Sequence, residues 1–368
     1  MDKKLILAVA GSGKTYKLCN EIDENKRNLV LAFTNENINN IYKEILKKYD
    51  YIPVNTTICT FDTFTFNYIA KQFAAYVAIK NNKSYLFEDY GCVYNIDLPK
   101  PYDAKRKIWN KQFTEDNLCY YLTRNGKFYG ERIAKFINHF HLLDMAIIPI
   151  REHFDNIYID EIQDFAGDKF DLLKNLITKF DDIMLVGDYN QHSVSGGFNE
   201  KKYPFISTMN YSKYKKEFSN INVIIDENSL KYSRRCSKGV CEYISNKLGI
   251  TIESLETNNG TVNILKTKDD AEQLLSDDRV IKLVYKDSAK YAFKAINWGY
   301  SKGDTFEKTC VILNDNMSGF ECDNSKYNFS SETIKNKLYV ALSRTKGDLY
   351  ILSYDLFKST KYYKKKTD

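Results

Sequence analysis

A chain of 368 residues with 43% hydrophobic side chains is long enough for two domains with full cores. Its 54 basic and 48 acidic residues leave a net charge of +6, which is compatible with a nucleic-acid partner without requiring one. Eight cysteines (Cys19, Cys59, Cys92, Cys119, Cys236, Cys241, Cys310 and Cys322) include no C-x-x-C pair, which argues against a zinc site and for reduced thiols in a cytoplasmic setting. No apolar run approaches a membrane span and no signal-peptide core opens the chain, so no membrane partner is expected.

In chain order, Leu5 to Ala10 reads as a strand, and Lys14 to about Asn25 as a helix. Asn28 to Phe33 is a second buried strand, followed by a helix to about Tyr49. Thr57 to Thr60 is a third strand, leading into Phe61-Asp62-Thr63-Phe64. This alternation indicates a parallel α/β sheet. Residues 73–141, rich in aromatics and lysine, break the rhythm and read as a mostly helical insertion. Asn156 to Ile159 resumes the sheet. A helix over Asp168 to Phe180 and a strand over Ile183 to Val186 follow. A second α/β unit starts near Asn222. Its strands are expected at Thr261 to Leu265, Val280 to Tyr285, Thr309 to Leu313 and Leu349 to Ser353, with a helix over Ser331 to Thr345. The expected domains are therefore 1–72 with 142–220, interrupted by the insertion 73–141, and then 221–368.

The chemistry begins at Ala8 to Thr15, AVAGSGKT. A glycine turn between a strand and a helix presents backbone N–H groups to a β-phosphate. Ala10, Gly11, Ser12 and Gly13 form that turn, Lys14 adds a charge between the β- and γ-phosphates, and the Thr15 hydroxyl ligates Mg²⁺. The strict pattern has Gly where this chain has Ala8. Asp160-Glu161 follow a buried strand within IYIDEIQDF. One carboxylate there suits Mg²⁺ and its neighbour suits accepting a proton from an attacking water. A pair in a solvated turn is the alternative. Gly187 to Gln191, GDYNQ, is a third strand-end element, whose carboxamide is placed to sense a γ-phosphate.

The order AGSGKT, LAFTN, TFDTF, DEIQD, GDYNQ, an arginine pair, SKGDTF and LYVALSRTK resembles a superfamily 1 helicase of the UvrD/Rep type, from Val9 to about Leu352. The resemblance implies an α/β fold of two RecA-like parallel-sheet motor domains with a small insertion in the first. It implies an ATP-dependent DNA helicase or translocase that uses ATP and Mg²⁺ and moves on single-stranded DNA, with 3′ to 5′ polarity. By position, Lys14 and Thr15 would hold phosphates and Mg²⁺, Asp160 would hold Mg²⁺, and Glu161 would be the base. Gln191 would contact the γ-phosphate. Arg344, in ALSR, would be an arginine finger and Arg235 the second, with Arg234 a competing alignment. A surface salt bridge is the alternative for each arginine. Phe33, Thr34, Asn35, Thr60 and Phe61 match positions that touch single-stranded DNA, and Ser301 and Lys302 match the element touching both strand and nucleotide. Burial in the core is the alternative for Phe33 and Phe61.

Several positions depart from the family pattern. No glutamine motif precedes the phosphate loop, which leaves base selectivity open. Asp62 stands where histidine is usual, and a carboxylate there would repel a DNA phosphate. The base-stacking aromatic after GDxxQ falls at Val194, with Phe198 a substitute. The glutamate that contacts the nucleotide sugar falls at Thr305, and SKGDTF leans toward the RecD-like branch, which would be a 5′ to 3′ motor. The stretch between Arg235 and Ser301 is too short for the large second-domain insertion, so the pattern supports motor activity better than unwinding. Asp62, Val194 and the missing insertion motivate a second reading: a nucleotide-controlled ATPase subunit of a DNA repair or anti-phage defence complex, with DNA or a nuclease partner as trigger. No feature reads a 2′-hydroxyl, so RNA is not excluded.

Overall fold

The computed structural model describes residues 2–81, 91–94, 96–103, 108–192, 210–255, 259–322 and 325–363. Two compact units partition the chain. The first comprises Met1–Leu5, Leu18–Leu185 and Gly196–Ile224, and the second Ile6–Lys17, Val186–Ser195 and Ile225–Asp368. The boundaries thus fall inside the strands Lys4–Leu7 and Ile183–Gly187.

The first unit is organised on a six-stranded sheet in the order Ile224–Asp226, Lys4–Leu7, Ile183–Gly187, Asn156–Ile159, Asn28–Ala32, Thr56–Thr60. Asn28–Ala32 runs parallel to both of its neighbours, with Leu31 opposite Cys59 on one side and Ile159 on the other. Asn28–Ala32 is buried along its whole length and Asn156–Ile159 at its last three residues, as strands covered on both faces must be. The sequence pattern therefore placed these strands to within a residue. The first helix stops at Asn20 rather than near Asn25. There Asp23 accepts a hydrogen bond from the Asn25 amide at 3.0 Å, a local bond that competes with helix continuation. After Thr60, helix Phe61–Thr65 passes into a π-helical turn over Phe66–Ala70 and then into helix Lys71–Lys80.

Among the described residues of 73–141, helix alternates with short strand pairs and turns. Helix holds the two ends, in Lys71–Lys80 and in Leu118–Tyr121 and Ile133–His139. Between and beside them, Cys92–Val93 pairs with Phe128–Tyr129 and Tyr102–Asp103 with Ile108–Trp109. Pro99 and Pro101 lie between these helices; lacking a backbone N–H, proline disfavours a helix interior. The insertion is pinned by Arg132, 1% exposed, which stacks its guanidinium 3.7 Å from the Tyr120 ring centroid and donates to the carbonyls of Tyr120 and Pro99.

The second unit carries a five-stranded parallel sheet in the order Val262–Ile264, Leu349–Leu352, Thr309–Ile312, Ile281–Val284, Ala295–Asn297. Ala295–Asn297 was not expected, because three residues are too few to show a period. Helix Glu332–Leu342 starts where the Ser331 hydroxyl accepts from the Thr333 amide. It ends before Ser343, short of the expected Thr345, where the Arg344 amide turns back to the Ala341 carbonyl in a tighter turn. Its buried face joins a core that also contains Ala10, Val240, Trp298 and Ile351. Among the described residues no single helix is long and apolar enough to cross a membrane.

Candidate nucleotide and nucleic-acid site

The phosphate loop lies in the second unit. The Ala8 amide donates to the Gly187 carbonyl at 2.8 Å and the Val9 amide to the Leu230 carbonyl at 3.1 Å, which anchors the loop at both sides. Gly11 and Gly13 have φ of +71° and +89°, a region only glycine enters at little cost. At Gly11 a Cβ would also lie 2.6 Å from that of Arg235 and 3.0 Å from the Ser233 hydroxyl. The loop therefore packs directly on the YSRR segment, and the Arg234 amide donates to the Gly11 carbonyl at 2.9 Å. Ser12, 2% exposed, buries a hydroxyl oxygen with no hydrogen-bond partner among the described residues. An orphaned buried polar atom inside a glycine cradle suits an anionic ligand. Lys14 and Thr15 open the helix Lys14–Asn20, both half-buried.

The turn GDYNQ belongs to the same unit. Asp188 is fully buried. One carboxylate oxygen caps the turn by accepting from the Asn190 amide at 3.1 Å, and the other accepts from the Gln191 Nε2 at 2.9 Å. Gln191 is 2% exposed, with its carboxamide orientation set by that carboxylate. Val194 and Phe198 lie outside the described residues.

Arg344 is 1% exposed. Its Nε donates to the Val340 carbonyl at 2.8 Å, Nη1 to the carbonyls of Ser301 and Asp304 at 3.4 Å each, and Nη2 to the Ser343 hydroxyl at 3.2 Å. The surface-pair alternative is thereby removed. Arg235 is half-buried and donates to the Ser343 carbonyl at 3.1 Å, so the two candidate fingers meet on one turn of backbone, while Arg234 is exposed. Cys236, fully buried beside them, has its thiol pulled below the usual range by the Cys241 thiol and then by the Arg235 guanidinium. Ser301 does not sit on a surface. It is fully buried and its hydroxyl donates to the Trp298 carbonyl at 2.7 Å. Lys302 is half-buried and Thr305 exposed.

In the first unit, Asp160 and Glu161 are 1% and 7% exposed at the end of Asn156–Ile159. This is not a solvated turn. Glu161 has φ +54° and ψ 46°, a left-handed conformation that a non-glycine residue holds only at a cost of about 1–2 kcal/mol. The Asp160 Oδ1 accepts from the Glu161 amide at 2.8 Å, and the Gln163 side-chain amide donates to the Glu161 carboxylate. Gln163, within the DEIQD string, thus holds the Glu161 carboxylate.

The candidate DNA-contact residues divide. Phe61 is 1% exposed and packs edge-on to Phe165 at 5.0 Å, which places it in the core. Phe33 is half-buried, edge-on to Phe165 at 5.6 Å, with the Lys169 ammonium 5.1 Å from its ring centroid. Thr34 and Thr60 are helix N-caps that accept from the amides of Asn37 and Thr63 at 3.2 and 3.1 Å. Thr34 and Asn35 are exposed. The carboxylate of Asp62 is neutralised by Lys169 at 2.7 Å, an ion pair between residues no local pattern connects. Among the described residues no cluster of three or more metal-ligating side chains occurs. Mg²⁺ at phosphate sites takes one or two side chains plus substrate oxygens and water; the Thr15 hydroxyl in the second unit and the Asp160 carboxylate in the first are each donors of the right kind.

Comparison with known proteins places residues 122–193 in the family model for the UvrD/REP helicase N-terminal domain. This stretch contains DEIQD and GDYNQ. The chain is 24% identical to the ATP-dependent DNA helicase Rep of Buchnera aphidicola subsp. Acyrthosiphon pisum (strain APS), over 80% of this chain and 50% of that protein. It thus spans about half the length of that curated relative. Among solved structures, the arterivirus nonstructural protein 10 helicase with DNA matches with a TM-score of 0.44 and 13% identity, over 95% of this chain and 60% of that one. The PRRSV helicase matches with the same score and identity over 96% and 52%.

Proposed function

We propose, from that likeness to UvrD/Rep helicases, that the chain is an ATP-hydrolysing superfamily 1 motor that translocates on single-stranded DNA with 3′ to 5′ polarity. The observation that carries the reading is the phosphate loop itself: two glycines at positive φ around a buried serine hydroxyl that has no partner among the described residues. In this reading Lys14 holds the β- and γ-phosphates, and Gln191, aligned by Asp188, faces the γ-phosphate. Glu161, aligned by Gln163, takes the proton of the attacking water. Thr15 and Asp160 are the residues that would hold Mg²⁺, which supplies charge neutralisation on the phosphates. Arg235 and Arg344 are the cations available for developing transition-state charge. Exposed Thr34 and Asn35, with Lys169 beside Phe33, form the DNA-facing edge of the first unit. The carboxylate at position 62, which favoured a partner-controlled switch, is paired with Lys169 and so loses that force.

The test is ATP turnover by the purified chain, alone and with a single-stranded DNA oligomer, with Lys14→Ala as control. Strong stimulation by DNA that vanishes in the variant is expected, followed by directional displacement from the 5′ end of a strand. Turnover indifferent to DNA would remove the motor reading.

A further inference from the structure

Tyr339 sits in the middle of helix Glu332–Leu342, fully buried, in the second unit. Buried tyrosines commonly bond their hydroxyl to one partner. This one joins two elements more than a hundred residues distant in sequence. Its oxygen accepts from the Ala10 amide of the phosphate loop at 2.9 Å and donates to the Asp188 Oδ2 at 3.1 Å. The same Oδ2 holds the Gln191 Nε2 at 2.9 Å. The chain Ala10 N–H, Tyr339 Oη, Asp188 Oδ2, Gln191 Nε2 lies wholly within that unit. The helix that carries Tyr339 runs straight into Ser343-Arg344. Burial and the neighbouring Asp188 carboxylate push the Tyr339 hydroxyl well above its ordinary value, so it remains the donor toward Asp188 across the working pH range.

We propose that Tyr339 is a positioning residue for hydrolysis, orienting the Gln191 carboxamide through Asp188 while clamping the backbone of the phosphate loop at Ala10. The proposal rests on the ATPase reading given above. The geometry explains the choice of group. A carboxylate with one oxygen shared between a phenol and a carboxamide has a fixed plane, and a carboxamide whose Nε2 is bonded to it keeps its second N–H and its carbonyl oxygen for a ligand. Without the phenol, the Asp188 Oδ2 loses one of its donors and holds Gln191 less firmly. When the phenol is lost the loop keeps its Lys14 charge, its glycine turn and the anchors at Ala8 and Val9, so the loss falls mainly on turnover.

The experiment is a kinetic double-mutant cycle on the full chain with Tyr339→Phe and Gln191→Ala. Tyr339→Phe is expected to lower kcat about tenfold or more with the KM for ATP within about twofold. In the Gln191→Ala background the same change is expected to alter kcat less than about twofold. Equal losses in both backgrounds, or a raised KM with normal kcat, would overturn the relay and leave Tyr339 a packing residue. Thermal melts verify that each variant is folded. If Tyr339→Phe does not fold, Asp188→Asn reads the same link from its other end and must show the same kcat-only loss. Absence of turnover in the wild-type chain would overturn the ATPase reading and the relay with it. Normal wild-type turnover beside an unaffected Tyr339→Phe would overturn the relay alone.

Discussion

Glu161 and Arg344 are both buried charges, 7% and 1% exposed, yet the two units hold them in opposite ways. The carboxylate hangs from a left-handed backbone at a strand end, with the side-chain amide of Gln163 on one oxygen. The guanidinium follows the end of a helix and is wrapped by three carbonyls and a hydroxyl of its own unit. Strain kept at a buried acid is a feature that clusters at functional sites, and it supports the proposed role of Glu161 as base. A cation saturated by its surroundings contributes to the fold as well. Motif position alone makes the two residues look alike, and only their surroundings separate a chemical role from a combined one.

The largest effect that could break this contrast is Glu161→Gln. Turnover should fall about a thousandfold, in the range of general-base removal, with the melting temperature close to wild type. Retained turnover in that variant would remove Glu161 as the base. Next comes Arg344→Ala. It removes a donor from three backbone carbonyls, of which Val340 and Ser301 each keep another, and should cost about 1–3 kcal/mol of stability, read by denaturant melts. Turnover of the folded fraction should fall too, at nearly unchanged nucleotide affinity. Normal turnover there would make the arginine purely structural. Smaller still is Asp62→Asn, which releases Lys169 from its ion pair. Single-stranded DNA should bind about two- to fivefold tighter at low salt, with a steeper salt dependence. Weaker binding would mean that Asp62 itself contacts the strand.

The smallest effect concerns the exposed pair Arg27–Asp155 in the first unit. The hydrogen bonds from the Arg27 guanidinium hold the Asp155 carboxyl at about 2, below its ordinary 3.8. A depressed carboxylate contributes stability that is fully present above its unfolded value and is lost as pH falls through the folded one. The wild type should therefore lose this small contribution between about pH 4 and pH 2, and Arg27→Ala should show a correspondingly flatter acid limb in melts. Identical acid limbs would show that the pair adds nothing.

The sequence alone determined what is local. A buried apolar run ending in a glycine turn or an acidic pair is a strand of a parallel sheet, because only strands covered on both faces are apolar throughout, and Asn28–Ala32 and Ile183–Gly187 are buried at every residue. The spacing of AGSGKT likewise required Gly11 and Gly13 to turn left-handed. What depends on distant chain segments was not legible. Phe61 went to the core because Phe165 met it, Ser301 because Trp298 supplied its carbonyl, and Asp62 gained an ion-pair partner because Lys169 came beside it. The strand pairs within residues 73–141 were not legible, because two-residue strands have no period to detect. Tyr339 carried no signal either, since an aromatic on the buried face of a helix reads as core. Its hydroxyl acquired partners only when the fold brought Ala10 and Asp188 to it, and a buried polar atom must take whatever partners the tertiary structure provides.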